Sequence, residues 1–288
     1  MLSAFVILHY IAVKDTEECI ASILKKIDSS KNPFEIVVVD NGSPEKLEDV
    51  IDKKLLKENV HIVTSKSNLG FACGNNLGIQ YAREHFATRF IICINNDTLI
   101  CQNDFLEKID IEYRKSKFWV LGPMIYTADG RYSSNPVHVG RETSLQSIDA
   151  TIRNMKKQLT YDKYHLKPLQ QCWQKIKNKS SKEKKSDNYI YLERKINVVL
   201  HGSCLIFSEL FFEKYEGFNS ETFLYEEEDI LYEEVRKEHG IMVYNPEIRI
   251  FHKEDVSTNS QFPNNRRKRM FMLENEIKSL EVLRKIKE

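Results

Sequence analysis

The first hundred residues alternate short apolar runs with amphipathic segments, and this alternation restricts the fold more than any other feature of the chain. The apolar runs lie at residues 2–8, 35–39, 61–64 and 90–94, and the amphipathic segments lie at residues 16–27, 47–56 and 75–85. Repeated strand–helix units of this kind build a mainly parallel sheet with helices packed on its faces. The sequence therefore predicts an α/β fold with a Rossmann-like nucleotide-binding half.

Polar residues follow the predicted strands at the ends that a parallel sheet brings to one edge. They are His9, Asp40, Asn68 and the run at 95–97. Because ligands bind outside the carboxyl ends of the strands in open α/β sheets, we expect a binding crevice at this edge. For Asp40, which begins the turn sequence DNGS, a purely local role in the turn stays open as an alternative.

Several function classes lose support because the sequence lacks the residues that they need. The chain has neither GxGxxG nor GxxxxGK[ST], the two commonest glycine-rich phosphate-binding sequences. A nucleotidyltransferase, the main alternative enzyme class, normally carries a basic, glycine-rich loop after its first strand, whereas this chain has HYIAVKDTEE there. The 43 basic and 42 acidic side chains nearly cancel, so we expect no nucleic-acid partner.

Cysteine use and hydropathy predict a cytoplasmic protein. The six cysteines show no CxxC spacing and several lie in apolar runs, which favours a reducing compartment. The apolar N-terminal run has no basic segment before it and no small-residue cleavage site, so it predicts a strand and not a signal peptide. No stretch of the sequence has the length that a bilayer-spanning helix needs.

Two basic segments require a separate explanation. Residues 151–188 carry ten lysines and one arginine against three acidic residues, and residues 264–288 predict an amphipathic helix that begins with a basic run at 266–269. One interpretation is a peripheral contact with an anionic membrane surface, at the inner face of the cell membrane. The other is that the apolar stripe of the tail packs on the main domain or on another subunit. The sequence leaves both interpretations open.

Six segments stand in the same order as the motifs of family 2 glycosyltransferases. They are VVVDNGS, NLGFACGNN, INNDT, HGSCLIF, GFNSETFLYEEEDIL and IFH. Over residues 3–258 the chain therefore resembles this family, and within it the rhamnosyl- and related transferases that assemble capsule, O-antigen and cell-wall polysaccharides. The resemblance implies the GT-A fold for a domain at residues 1–258, with an insert at about 141–195 and a basic helical tail at 259–288.

The resemblance also implies which residues contact the sugar donor. Around the nucleotide it places His9, Tyr10, Asp40, Asn68, Gly70, Asn75, Asn76, Asn95 and Asn96. Near the donor or acceptor sugar it places His201, Gly202 and Glu227. The partners that it implies are a UDP- or dTDP-sugar donor and a saccharide or lipid-linked acceptor.

The run at 95–97 occupies the DxD position of the family, with Asn95 in place of the first aspartate. Asp97 is therefore the one carboxylate that this position offers to a divalent cation, and His252 matches the family's metal-binding histidine. Mg²⁺ and Mn²⁺ prefer oxygen ligands and keep water or substrate phosphate around them, and an imidazole ligand suits Mn²⁺ somewhat better. The resemblance thus implies an enzyme that depends on Mn²⁺ or Mg²⁺.

An acidic cluster follows the segment TFLY and precedes an amphipathic helix predicted to begin near Ile230. Acidic side chains also stabilise the first turn of a helix, so the cluster has a structural explanation too. The family's Glu-Asp pair maps to Glu227 and Glu228, or, after a shift of one residue, to Glu228 and Asp229. We expect Asp229 or Glu228, with a slight preference for Asp229, to be the general base of an inverting displacement. The asparagine in the DxD position and the altered acidic motif leave open a degenerate protein that binds a sugar nucleotide or a partner without turnover.

Overall fold

The computed structural model describes residues 2–127, 135–137, 143–164, 192–253 and 265–288. The strands in these ranges are β1 (Ser3–His9), β2 (Phe34–Asp40), β3 (Val60–Thr64), β4 (Phe90–Asn95), β5 (Thr98–Ile100), β6 (Val120–Thr127), β7 (Lys195–Ile196), β8 (Cys204–Ser208) and β9 (Met242–His252). The helices are α1 (Val13–Lys26), α2 (Leu47–Val50), α3 (Gly70–His85), α4 (Phe105–Ser116), α5 (Leu145–Lys163), α6 (Glu227–Lys237) and α7 (Asn265–Lys287). Two 3₁₀ turns lie at Lys53–Leu55 and Phe211–Glu213.

The described strands form one mixed sheet in the order β3-β2-β1-β4-β8-β6-β9-β5, and β7 pairs with β9. Strands β3, β2, β1 and β4 run parallel to one another, whereas β8 is antiparallel to its neighbours β4 and β6. The predicted α/β fold with a mostly parallel sheet is therefore confirmed. Since β2 and β4 flank β1 on opposite sides, the strand order reverses there, and a crevice opens at such a point of a parallel sheet.

Helices cover both faces of the sheet, which explains why its strands are continuous apolar runs. On β1, Phe5 and Ile7 belong to the apolar cluster that includes residues of α1 and α4, whereas Val6 belongs to the cluster that includes residues of α3. All three side chains are fully buried. This packing fixes the strand ends as a rigid edge.

A third apolar cluster joins α5, α6 and α7. It contains Ile148 and Ile152 of α5, Ile230 of α6, and Ile277, Leu280, Val282 and Leu283 of α7. The apolar stripe that the sequence shows in its tail is thus covered inside the chain. The C-terminal helix packs on α6, whose first turn carries the acidic cluster.

Several element boundaries differ from the sequence-based prediction. The helix predicted at 47–56 is α2 and a 3₁₀ turn, because Ile51 is extended and the Asp52 carboxylate accepts a hydrogen bond from the Lys54 amide. The helix predicted at 75–85 begins five residues earlier, at Gly70. Strand β9 extends beyond these strand–helix units, and its register with β6 shifts so that residues 246–248 are left out of the pairing.

Candidate active site

A cavity of about 210 Å³ lies at the carboxyl ends of β1 and β4. Six of its lining residues were predicted from the sequence: Tyr10, Asn68, Gly70, Asn95, Asn96 and Asp97. Its other lining residues are Leu8, Asn41, Phe71, Phe223, Leu224 and Tyr225. The parallel register explains why distant segments meet here, since Leu8 lies beside Asn95 and His9 beside Asp40. The crevice expected at this edge is therefore present.

Two predicted nucleotide contacts, His9 and Asp40, lie behind the cavity lining. The His9 ring is fully buried and its Nδ1 is 2.7 Å from the Thr16 hydroxyl, and burial lowers the pKa of this imidazole while the charge of Asp40 opposes that shift. The Asp40 carboxylate accepts hydrogen bonds from the amides of Ser43 and Leu47, at 3.0 and 2.9 Å. The local role in the turn, which the sequence left open, is thus what the carboxylate of Asp40 performs here.

Asn41 organises the loop that forms one wall of the cavity. Its side-chain amide donates to the Asn68 side chain at 3.2 Å and to the Gly70 carbonyl at 3.1 Å, and its oxygen accepts from the Leu69 amide at 2.9 Å. Gly70 has φ of +81°, and a Cβ there would lie 2.2 Å from the Phe223 carbonyl oxygen. The position therefore requires glycine. Asn41 was not among the predicted site residues, but its position directly after β2, in the same turn sequence as Asp40, could have indicated it.

Asn75 and Asn76, predicted to line the ribose and diphosphate, face other parts of the protein. The Asn75 amide donates to the Phe71 carbonyl one turn earlier in α3. The Asn76 side chain accepts from the Phe218 amide at 2.7 Å and donates to the Phe218 carbonyl at 2.8 Å. Helical geometry explains the result. Successive side chains of a helix point in different directions around its axis, and Asn75 and Asn76 lie beyond the first turn of α3, whose N-terminal end meets the cavity. Both residues are structural contacts in this arrangement.

Asp97 and His252 come together at the cavity, although 155 residues separate them in the sequence. Antiparallel pairing of β5 and β9 sets Thr98 opposite His252, and the His252 Nε2 lies 3.1 Å from the Asp97 Oδ1. The Lys253 amide also donates to the Asp97 carbonyl. His252 is 8% exposed, and its Nδ1 has no hydrogen-bond partner among the described residues. One carboxylate and one imidazole at the rim of a cavity fit a divalent cation that takes its other ligands from phosphate and water.

The described residues contain no group of three or more histidine, cysteine, aspartate or glutamate side chains that could hold a metal ion. Asn96, next to the pair, donates its side-chain amide to the Thr16 hydroxyl at 3.1 Å and so points into the start of α1. Within the part of the chain that the structure describes, Asp97 and His252 are thus the two candidate ligands at this edge. Phosphate and water oxygens would supply the other ligands of a bound cation.

The turn at His201 and Gly202 connects this pair to the acidic cluster. The His201 ring lies 6.0 Å from the His252 ring in an edge-to-face arrangement, and its Nδ1 is 3.1 Å from the Ser203 hydroxyl. The Gly202 amide donates to the Glu228 Oε1 at 3.0 Å. The predicted metal pair, the predicted sugar-contacting turn and a predicted base are therefore neighbours.

The acidic cluster begins with two consecutive residues in the left-handed region, Tyr225 at φ 76° and Glu226 at φ 63°. Left-handed backbone is strained for residues other than glycine, and surrounding contacts must hold it. Glu227, the first residue of α6, is buried with its Oε1 unpartnered among the described residues. Burial, assisted by the charge of Glu228, raises the pKa of Glu227 to about 8, and burial together with the charge of Asp229 raises that of Glu226 to about 7. Burial therefore favours the neutral, protonated form of Glu227 and Glu226 in this turn.

Sequence comparisons show which known proteins this chain is similar to. Residues 4–110 match the family described as Glycosyl transferase family 2. The low-salt glycan biosynthesis hexosyltransferase Agl10 of Haloferax volcanii is 25% identical over 214 residues, which cover 74% of this chain and 56% of that protein. The resemblance to family 2 glycosyltransferases that the sequence motifs indicated is thus confirmed over residues 4–110.

Solved structures give the same result for the fold. The crystal structure of S. aureus TarS 1–349 superposes with a TM-score of 0.53 at 13% identity, over 88% of this chain and 60% of that one. The longer crystal structure of S. aureus TarS gives 0.51 at 14% identity, over 88% and 37%. The GT-A fold that the sequence resemblance implied is confirmed. The chain spans only about half to three fifths of the length of the curated relative and of the shorter TarS chain.

The basic run before the apolar part of α7 contacts α5. Arg269 forms a bidentate ion pair with the buried carboxylate of Asp162, with both N–O distances 2.6 Å, and Arg266 donates to the carbonyls of Asp162 and Lys163. Two arginines of the run therefore bind the C-terminal end of α5. No helix among the described residues is both long and apolar enough to cross a membrane. Contact with an anionic membrane surface stays a prediction, and part of the basic insert, residues 165–191, lies outside the described residues.

Proposed function

We propose that the protein transfers a sugar, with inversion, from a nucleoside-diphosphate donor to a saccharide or lipid-linked acceptor in the synthesis of a cell-surface glycan. The observation that carries the proposal is one edge of the sheet, where a cavity, the Asp97–His252 pair and the acidic turn of α6 are neighbours. Transfer to a hydroxyl requires a base on one side of the sugar and stabilisation of the leaving diphosphate on the other. The family assignment and the name of the Haloferax relative, a hexosyltransferase of glycan biosynthesis, support the same reaction class.

We assign the donor to the cavity at β1 and β4. Of the residues predicted to contact the nucleotide, the proposal keeps Tyr10, Asn68, Gly70, Asn95 and Asn96, which line the cavity. Four others receive a supporting role, because they do not line the cavity and their side chains bond to other parts of the protein: His9, Asp40, Asn75 and Asn76. A UDP- or dTDP-sugar is the donor class that we propose.

Asp97 and His252 would hold the divalent cation, Mn²⁺ or Mg²⁺. When bound, such a cation neutralises charge that develops on the leaving diphosphate. The chain itself contributes the position of the pair, which the β5–β9 pairing and the Lys253 amide hold at the cavity rim. His201 packs on the His252 ring and limits its rotation.

The acceptor proton goes, in this proposal, to a carboxylate of the first turn of α6. Glu228 is oriented by the Gly202 amide, and Asp229 follows it in the same turn. Both stay as candidates, with the slight preference for Asp229. Glu227, whose raised pKa keeps it largely protonated near neutral pH, is a poor base and is suited to donate a hydrogen bond to a sugar oxygen.

Paired amide substitutions test the assignment of the base. Glu228→Gln keeps an oxygen that can accept the Gly202 amide, and Asp229→Asn keeps the size of the side chain, so each removes charge with little change of shape. We expect the true base variant to lose roughly a hundredfold to ten-thousandfold in kcat while donor affinity, measured by calorimetry, changes little. Glu238→Gln, at the exposed end of the same helix, is the matched control and should transfer sugar like the wild type.

The donor for these assays comes from a screen of nucleotide sugars by thermal unfolding, with and without Mn²⁺, since a bound donor raises the unfolding temperature. Full transfer by both amide variants would exclude the cluster as the base. A wild-type protein that binds a nucleotide sugar but never transfers or hydrolyses it would establish the degenerate alternative.

A further inference from the structure

We propose that Ser279, on the C-terminal helix α7, is a positioning residue for the segment 223–229, which forms one wall of the donor cavity and carries the acidic cluster. The inference rests on the proposed function for its catalytic consequence, but its structural part stands independently. The Ser279 hydroxyl donates a hydrogen bond to the Leu224 carbonyl at 2.9 Å, across 55 residues of sequence. Leu224 lines the cavity.

Ser279 differs from an ordinary serine inside a helix. A helical serine usually donates to a carbonyl three or four residues earlier in its own helix, as Ser116 does in α4. Ser279 instead donates to a different segment, and its side chain is completely buried. A buried hydroxyl that is directed at one carbonyl fixes the position of that carbonyl, because the carbonyl loses a partner if the helix moves.

The segment that Ser279 contacts contains strained backbone, which needs neighbouring contacts to keep its conformation. Leu224 directly precedes the two left-handed residues Tyr225 and Glu226. A strained turn of this kind persists only where neighbouring contacts determine it. The hydrogen bond from Ser279 therefore acts at the start of the turn that orients the first residues of α6.

On the side away from α7, segment 223–229 is hydrogen-bonded to the start of α3, which forms the part of the cavity proposed to bind the nucleotide. The Phe223 carbonyl accepts from the Phe71 amide at 2.8 Å, directly after Gly70. On the α7 side, the Phe271 ring meets the Phe223 ring edge-to-face, with centroids 5.8 Å apart. The segment thus lies between the start of α3 and helix α7, and α7 supports from behind the wall that residues 223–225 form.

The matched pair of variants is Ser279→Ala and Leu283→Ala. Leu283 lies one turn further along α7 and belongs to the apolar cluster with α5 and α6, so its truncation loosens helix packing while the Ser279 hydroxyl remains. A large-to-small change in a core costs more stability than the loss of one hydroxyl. The two variants therefore distinguish an effect on the position of segment 223–229 from an effect on the global stability of the protein.

Hydrogen–deuterium exchange gives a readout that requires no substrate. In the proposed arrangement, Ser279→Ala accelerates exchange of the amides at 224–229 by roughly tenfold or more relative to the wild type, and Leu283→Ala does not, although its unfolding temperature falls further. If Ser279→Ala fails to fold, Ser279→Cys replaces it, because a thiol is similar in size but a weak donor. Unchanged exchange at 224–229 in the serine variant would overturn the proposal.

Kinetics test the catalytic part. We expect Ser279→Ala to lower kcat by about tenfold to a hundredfold, because a displaced base misses the acceptor hydroxyl, with a smaller change in donor KM. Leu283→Ala should stay within about twofold of the wild-type kcat at a temperature where it is folded. Equal losses of kcat in the two variants would refute positioning by Ser279. A wild-type protein without transfer activity would refute the proposed function alone, since the exchange comparison still decides the role of Ser279.

Discussion

Replacement of Glu227 by glutamine should change the pH dependence of stability in a defined direction. The side chain is 7% exposed, lies beside Glu228, and has one carboxyl oxygen without a partner among the described residues. Burial first, and then the charge of Glu228, raises the pKa of Glu227 to about 8 from an ordinary value of 4.5. Glutamine is neutral at every pH and has nearly the same shape. The substitution therefore removes the titration and little else.

The direction of this pH dependence follows from whether Glu227 keeps its proton in the folded and in the unfolded protein. Below pH 4.5 the group is protonated both in the folded and in the unfolded protein, and its titration has no effect on stability. Between pH 4.5 and about 8 the unfolded chain loses the proton while the folded protein retains it, so the free energy of unfolding falls as pH rises. At about 1.4 kcal/mol per pKa unit, this loss amounts to roughly 3 kcal/mol between pH 5 and pH 8.

Urea unfolding at pH 5, 6, 7 and 8 measures the effect. The difference in unfolding free energy, Glu227→Gln minus wild type, should rise by about 3 kcal/mol across this range, and the variant should gain most at pH 8. Glu238→Gln, an exposed change on the same helix, should give a nearly constant difference. A difference that is flat with pH for Glu227→Gln, or one that falls, would refute the argument that this carboxyl is held neutral by burial.

Two further predictions concern the cavity. Asp97→Ala and His252→Ala should each weaken Mn²⁺-dependent binding of nucleoside diphosphate, measured by calorimetry, while the circular dichroism spectrum stays unchanged. For Asp97→Ala the loss of affinity should be roughly tenfold or more, because Asp97 supplies the charge. Wild-type binding by both variants would contradict the proposed cation site. Gly70→Ala should lower the free energy of unfolding by about 2 kcal/mol or more, because φ of +81° is unfavourable for alanine and its Cβ would meet a carbonyl oxygen. Denaturant unfolding of the variant and the wild type measures the difference, and equal free energies would contradict the prediction.

The sequence alone determined the fold class and indicated the edge of the sheet where the candidate site lies. Strand–helix alternation predicted the parallel sheet, and the polar residues after each strand predicted the edge at which ligands bind, because parallel strands carry their carboxyl ends to the same side. The order of six motifs predicted the glycosyltransferase family. Asp97 and His252 were predicted as a pair, and the tertiary structure sets them 3.1 Å apart.

The direction of individual side chains was decided only by the tertiary structure. His9 and Asp40 stand at the predicted strand ends, yet their polar atoms are bonded to Thr16 and to the turn after β2. Spacing along the chain records which face or edge a residue occupies. It does not record which of several nearby donors and acceptors a side chain will bond, since that depends on segments that meet only in the folded protein.

The role of the C-terminal helix is the largest difference of this kind. Its amphipathic pattern predicted an apolar stripe, and both a membrane and a protein surface satisfy such a pattern equally well. The fold covers that stripe with α5 and α6 and brings Ser279 against Leu224. Hydrophobic periodicity is a local property that identifies a face to be buried, whereas the partner that buries it is chosen by contacts between distant segments, and here those contacts join the tail to the wall of the proposed active site.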